Sequence, residues 1–143
     1  MIDPLRHLSD AQRSRLLELT EEVVVPAGSV ILEEGAPAAD VVLILEGTVR
    51  IEKNYLGARI PVDEIDAGEL VGEMSYLLGS DATATVVAQG DVRFAVIPKP
   101  ALDRLVHTDA SRAAALFRSW AEILAHRLNR RTGDVVGMHW SWG

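Results

Sequence analysis

This sequence predicts a mainly β domain with helices at both ends, and three observations carry that prediction. From Val23 to Ile97, short β-branched runs alternate with turns marked by glycine and proline. A helix-start signal at Ser9 precedes them. A long apolar stripe at three- and four-residue spacing follows them. At 143 residues the chain is long enough for one self-sufficient core, and a 48% apolar composition excludes a disordered polymer.

The elements follow in order. Ser9 reads as the N-cap of a helix from about Asp10 to Thr20, with Leu16, Leu17 and Leu19 as its apolar face. The β region is punctuated by Pro26-Ala27-Gly28, Gly35-Ala36-Pro37, Gly47, Gly57, Ala67-Gly68 and Gly90-Asp91, a spacing that suits an antiparallel sandwich or small barrel. Pro98-Lys99-Pro100 ends the last strand, because proline removes a ladder donor. Ala101 to His107 reads as a short helix. Thr108 or Asp109 then caps a longer one reaching about Arg131, with Gly133 as its stop. The domain is therefore expected over 1–131, with β structure over about 22–98, helices over about 99–131 and a tail over 132–143.

Composition narrows the function classes. With 14 basic and 21 acidic residues the net charge is −7, so no electrostatic footprint for nucleic acid is present. The dozen or so residues after Arg131 add no second amphipathic helix and no basic cluster, and direct DNA binding is not expected. There is no cysteine, which excludes disulfides, thiolate metal sites and cysteine nucleophiles. No apolar run is long enough for a membrane span, and Met1-Ile2-Asp3-Pro4 lacks the regions of a signal peptide; a cytoplasmic location is expected. His7, His107, His126 and His139 are scattered, so a cupin-like metal site finds no ligand cluster, and no Gly-x-Ser-x-Gly elbow occurs. Glu69 and Glu73 could be read as paired catalytic carboxylates, but a strand residue and a binding residue account for them more simply. No enzyme is expected.

The chemistry concentrates in twenty-one residues, Gly68 to Ala88. Gly68 and Gly72 allow close approach of backbone to a ligand or a positive φ. Glu73 to Leu78 is long enough for a short helix that Gly79 can stop. A glycine-led helix start presents N–H groups and the positive end of the peptide dipoles. Ser75 or Thr83 can add a hydroxyl, and ionised Glu73 can accept from ligand hydroxyls. Thr83 to Gln89 then reads as a strand.

These residues resemble the phosphate-binding cassette of the cyclic nucleotide-binding domain family, of the type found in catabolite-activator-like effector domains. Family cassettes read Gly-Glu-Met-Ala-Leu-Leu, a short glycine turn, then Pro-Arg-Ser-Ala-Thr-Val. This chain has Gly72-Glu73-Met74-Ser75-Tyr76-Leu77, then Leu78-Gly79-Ser80, then Asp81-Ala82-Thr83-Ala84-Thr85-Val86. Val23 to Gly35 resembles the family's opening strands and Val41 to Ile51 its central hairpin.

The resemblance implies an eight-stranded antiparallel β-roll of the jelly-roll type, with an N-terminal helix and two C-terminal helices. It implies no required cofactor and a cyclic nucleotide ligand, cyclic AMP or cyclic GMP, held by Val71, Gly72, Glu73, Met74, Ser75, Ala82 and Thr83. Glu73 takes the place of the residue that binds the ribose 2′-hydroxyl, and Thr83 the hydroxyl position beside phosphate and base. Asp81 stands where proline is usual. Ala82 stands where the phosphate arginine should be. Hydrogen bonds to charged groups contribute roughly 1.5–3 kcal/mol each, so losing that arginine weakens binding by about ten- to several-hundred-fold.

Local charge points the same way. From Ile60 to Val92 there is no Lys or Arg, while Asp63, Glu64, Asp66, Glu69, Glu73, Asp81 and Asp91 lie there. Replacement cations are Arg127, Arg130 and Arg131 on the last helix, which in the family folds over the ligand as a lid, and Arg59 just before the acidic stretch. The simpler reading of the three helix arginines is a solvated face near a helix C-terminus, where cations are favoured.

The stripe Ala113, Leu116, Phe117, Trp120, Ile123, Leu124 and Leu128 either packs on the β domain or, through Trp120 and Leu124, pairs with a second copy. Trp140 and Trp142 cap the pocket, reach a partner, or belong to a frayed end. The expected function is a non-catalytic sensory domain. It would take cyclic AMP, cyclic GMP or another small molecule at 68–88, with weakened nucleotide affinity. It would signal through the C-terminal helix and form a homodimer or engage a protein partner through 109–131. The alternative is a vestigial pocket on a protein-interaction module.

Overall fold

The structure, a computed structural model, describes residues 3–37 and 40–136, with side chains as far as Asn129. Helix α1 (Asp10–Leu17) is followed by strands β1 (Glu21–Val25), β2 (Val30–Leu32), β3 (Val41–Glu46), β4 (Thr48–Tyr55), β5 (Ala58–Asp66) and β6 (Leu70–Val71). Then come helix α2 (Glu73–Leu78), strands β7 (Thr85–Ala88) and β8 (Val92–Ile97), and helices α3 (Lys99–Thr108) and α4 (Ala110–Val136). The strands form two four-stranded sheets, ordered β1-β8-β3-β6 and β2-β7-β4-β5, with antiparallel pairing throughout. This is the predicted eight-stranded β-roll with flanking helices.

Two cores follow from the period-two alternation of strand side chains. Val42 and Ile44 of β3, with Val71, Val49, Ile65, Val86 and Phe94, fill the space between the sheets. Val41 of β3 and Leu70 of β6 point the other way and pack with Leu16, Leu102, Leu105, Leu116 and Trp120 in a helical core. Leu70 and Val71 therefore sit in different cores. Strand β6 is wedged between them, and the residues that follow it emerge at the seam of helix layer and sandwich.

Several boundaries differ from the sequence expectation. Ser9 caps α1 through a reciprocal box with Gln12, but the helix ends at Leu17, where the Thr20 hydroxyl donates to the Leu17 carbonyl at 2.8 Å. Leu16 is buried, while Leu17, one position round the helix, and Leu19, past the helix end, are exposed. Strand β7 begins at Thr85 rather than Thr83, since Ala82 is tied instead to the loop at Gly35 and Ala36. Helix α3 starts at Lys99, its first turn accommodating Pro100 without a lost intrahelical bond. Helix α4, capped by Asp109 as expected, runs through Gly133 to Val136. One interior glycine costs only about 1 kcal/mol, too little to stop an established helix.

Trp120 is fully buried within the chain, which removes it from a dimer face. Its ring meets Phe117 and Tyr76 edge-on, with centroids 5.9 and 6.3 Å away. The buried Ser119 hydroxyl accepts from the His7 N–H at 3.1 Å and donates to the Ala115 carbonyl at 2.9 Å, fastening the N-terminal segment to α4. The tail residues Met138, His139, Trp140 and Trp142 lie outside the described residues. Among the described residues no helix is long and apolar enough to cross a membrane, and no three His, Asp or Glu side chains gather in a way that could hold a metal ion.

Candidate functional site

The site begins with the backbone turn after β6. Gly72 adopts φ +85°, and a Cβ there would lie 2.8 Å from the Asp40 carbonyl oxygen and 3.3 Å from Leu32 Cδ1. Only glycine permits both the conformation and the approach. The turn opens α2, whose short length is set by Gly79 at φ +64°; the Gly79 N–H donates to Tyr76 O, and the Ser80 N–H to Ser75 O. These caps satisfy carbonyls that the helix end would otherwise leave unpaired. The helix directs Glu73 and Ser75 inward and leaves Met74, Leu77 and Leu78 exposed.

A cavity with about 100 Å³ of water-accessible space lies between α2, the β-roll and α4. Val71, Gly72, Glu73, Met74, Ser75, Ala82 and Thr83 all line it, together with Arg127. Arg59 does not. It sits on β5 with half its side chain exposed and faces Glu52 at 3.6 Å. The side chains of Arg130 and Arg131 lie outside the described residues.

Arg127 defines the electrostatics. Its Nη1 donates to Glu73 Oε1 at 2.6 Å and its Nη2 to the Leu70 carbonyl at 2.8 Å. Both partners are shielded, the Glu73 side chain being 4% exposed and that of Arg127 13%. Among the described residues, the buried Arg127 Nε has no hydrogen-bond partner. Burial pushes the Glu73 carboxyl above its usual value, and the Arg127 charge pulls it back. The pair is retained because each charge would be costly to bury alone.

Ala82 is buried, and its backbone is committed. Its N–H donates to Ala36 O at 3.0 Å and its carbonyl accepts from the Gly35 N–H at 2.8 Å. Thr83 and Ala84 turn past the cavity before β7 begins. Leu32, Ile51, Ile65 and Val86 supply apolar wall, and Asp63 of β5 adds a second carboxylate. Sequence inspection placed Asp63 in the acidic stretch without assigning it to the cavity. Only the β4–β5 register, which sets Ile51 opposite Asp63, brings it there.

Two further contacts fix the surroundings. Tyr76 of α2 donates its hydroxyl to Asp103 of α3 at 2.9 Å, and Asp103 also receives Lys99 Nζ at 2.8 Å. On α4, Glu122 pairs with His7 Nε2 at 2.7 Å and with Arg6 at 3.3 Å. Helix α4 is thus held to the cassette by Arg127 and to the N-terminal segment by Glu122.

A β-roll carrying this turn, short helix and enclosed carboxylate defines a regulatory ligand-binding class rather than a catalytic one. The family model described as the cyclic nucleotide-binding domain matches residues 22–109, and the chain belongs to that family. Such domains are non-catalytic regulatory units. Among curated proteins the chain is similar to the cAMP-dependent protein kinase regulatory subunit of Aspergillus fumigatus, with 30% identity over 102 residues, covering 71% of this chain and 24% of that protein. The chain thus spans about a quarter of the length of that relative. Among solved structures it is similar to the catabolite activator protein of Thermus thermophilus, with 25% identity and a TM-score of 0.76, covering 95% of this chain and 63% of that one. It also shares its fold with a cyclic nucleotide-binding domain from Methylobacillus flagellatus, with 23% identity and a TM-score of 0.83 over 95% of this chain and 76% of that one.

Proposed function

We propose that the chain is a sensory domain that takes a small ligand of the cyclic nucleotide type in the cassette cavity and reports occupancy through α4. The observation that carries this reading is the convergence of Gly72, Glu73, Ser75 and Thr83 with Arg127 of α4 on one cavity. Backbone N–H groups at the start of α2 and the Thr83 hydroxyl would face the ligand's acceptors. Glu73 would accept from ribose hydroxyls. Arg127 couples the two events, because any ligand that engages Glu73 must share that carboxylate with a side chain of the reporting helix. Signal then passes to a second copy or another protein through the 109–131 helix, in a cytoplasmic setting.

Ala82 sets the expected strength. With a methyl group where the family carries its phosphate arginine, cyclic nucleotide affinity is weakened by about ten- to several-hundred-fold. Isothermal titration with cyclic AMP and cyclic GMP tests the reading, and weak saturable binding that is lost in Glu73→Ala is the expected result. No heat at millimolar ligand removes it and favours the second reading, a vestigial pocket on an interaction module. One observation supports that alternative: Arg127 already engages the Glu73 carboxylate.

A further inference from the structure

Helix α2 is tied to the start of α3 by contacts that close into a ring. At one end of α2 the Asp40 carbonyl packs so closely on Gly72 that an added Cβ would lie 2.8 Å from its oxygen. The Asp40 carboxylate caps α3, accepting the Lys99 N–H at 2.8 Å. Lys99 Nζ donates in turn to Asp103 Oδ2 at 2.8 Å, and Asp103 Oδ1 accepts the Tyr76 hydroxyl of α2 at 2.9 Å. On the same helix Leu102 and Leu105 are buried in the core with Leu70, two residues before Gly72. A single residue, Asp109, then separates α3 from α4. Its N–H donates to the Leu105 carbonyl and its own carbonyl accepts the Ala113 N–H, both at 3.0 Å, so it belongs to the ladders of both helices.

We infer that Tyr76 and Asp103 are positioning residues that carry a shift of α2 into α3 and so to the root of α4, an inference that rests on the reading of the cassette cavity as a ligand site. This route is separate from the Arg127–Glu73 pair. Closely packed groups transmit displacement because they have little room to compress. Helix α2 cannot move against the first turn of α3 without breaking the Tyr76–Asp103 bond or pressing Asp40 off its cap. The side chains of Asp40, Tyr76, Lys99 and Asp103 stand outside the cavity lining, so the ring bears on coupling and not on ligand contact. The two routes ask different things of a ligand. The ion pair responds to one that competes for Glu73, whereas the ring responds to any that displaces the α2 backbone. Tyr76→Phe separates them, because it removes the hydroxyl and leaves an aromatic ring against Trp120.

The test uses cyclic AMP as the probe, titrated into the full chain and followed by calorimetry and residue-resolved NMR. In the wild type, saturable shifts at Gly72 to Ser75 are expected together with shifts at the Lys99, Asp109 and Ala113 amides. In Tyr76→Phe the affinity should stay within about threefold and the cassette should still respond, while the ligand-induced shifts at those three amides fall below about half of their wild-type size. The readout is the change on binding, which a merely less stable but folded variant would keep. A wild type whose cassette responds with α3 unmoved overturns the inference and leaves the ligand reading standing, as does a Tyr76→Phe variant with the full α3 response. No binding of cyclic AMP by the wild type overturns both. Should Tyr76→Phe not fold, Asp103→Ala removes the acceptor at a half-buried helix position and must give the same loss. A full α3 response in that variant overturns the inference as well.

Discussion

Arg127 on α4 reaches back 54 residues to hold Glu73 on α2 at 2.6 Å, so the last helix and the buried carboxylate of the cassette share one ion pair. On the proposed function, the position of α4 and the occupancy of Glu73 are linked quantities. A ligand that competes for the carboxylate loosens α4, and one that leaves the pair in place retains it. By reciprocity, anything that shifts α4 must change ligand affinity by the same factor.

The pair itself is open to measurement. Arg127→Ala leaves Glu73 buried without its counter-charge and should cost about 3–5 kcal/mol at neutral pH, read by urea unfolding. Burial already raises the Glu73 carboxyl, so in this variant it protonates readily, and the deficit should shrink as pH falls through the carboxylate range. Replacing both residues with apolar side chains should recover most of the loss. A deficit below about 1 kcal/mol, typical of a solvated surface pair, contradicts the buried geometry.

Gly72 and Gly79 make an internal comparison. Both have positive φ, so an alanine at either bears roughly 1–2 kcal/mol of left-handed strain. At Gly79 nothing lies within 4 Å of the added Cβ, whereas at Gly72 it meets the Asp40 carbonyl at 2.8 Å. Gly72→Ala should therefore destabilise more than Gly79→Ala in thermal melts. Equal losses would mean that the β3–cassette approach is looser than described.

Acid stability reports on the other anchor of α4. Hydrogen bonding to His7, and then the Arg6 charge, hold the Glu122 carboxyl below its usual 4.5. The folded state thus prefers the ionised form. That contribution is fully present above about pH 4.5 and is lost as pH falls through the lowered value. In Glu122→Gln this part of the acid slope should be missing when melting temperature is followed against pH. Parallel slopes in variant and wild type contradict it.

Tyr76 gives a test at the opposite end of the scale. Burial, followed by the Asp103 hydrogen bond, pushes its phenol up to about 12. Folding therefore favours the protonated phenol. Stability from this group is present below its ordinary value of 10 and is lost as pH rises toward about 12. Tyr76→Phe should abolish the late phenolate absorbance step and lower stability slightly, while its ring still packs on Trp120. A late step that survives the substitution belongs to another group.

Much of the fold was legible because local rules and tertiary packing agree. The Ser9 cap, the Gly79 stop and the Asp109 cap each follow from chemistry confined to a few residues. The stripe of α4 was equally legible as apolar, but not its destination. Whether Trp120 faced a second copy or its own chain depended on Leu5, Leu16 and Val41, which arrive from distant segments to cover it. The cassette helix could be read directly, since glycine is needed where φ is positive. The engagement of Arg127 by Glu73 could not be, because a contact between residues so far apart leaves no periodicity. Asp63 was missed for a related reason: its place in the cavity is a consequence of strand register, which no run of residues in β5 specifies alone.

The most direct test of a cavity coupled to α4 is a residue-resolved NMR titration of the chain with cyclic AMP. The expected result is saturable shifts at Gly72 to Ser75 and Thr83, accompanied at the same ligand concentrations by shifts at Arg127 and the Trp120 indole. Shifts confined to other surfaces, or a cassette response with α4 unmoved at saturation, would contradict it.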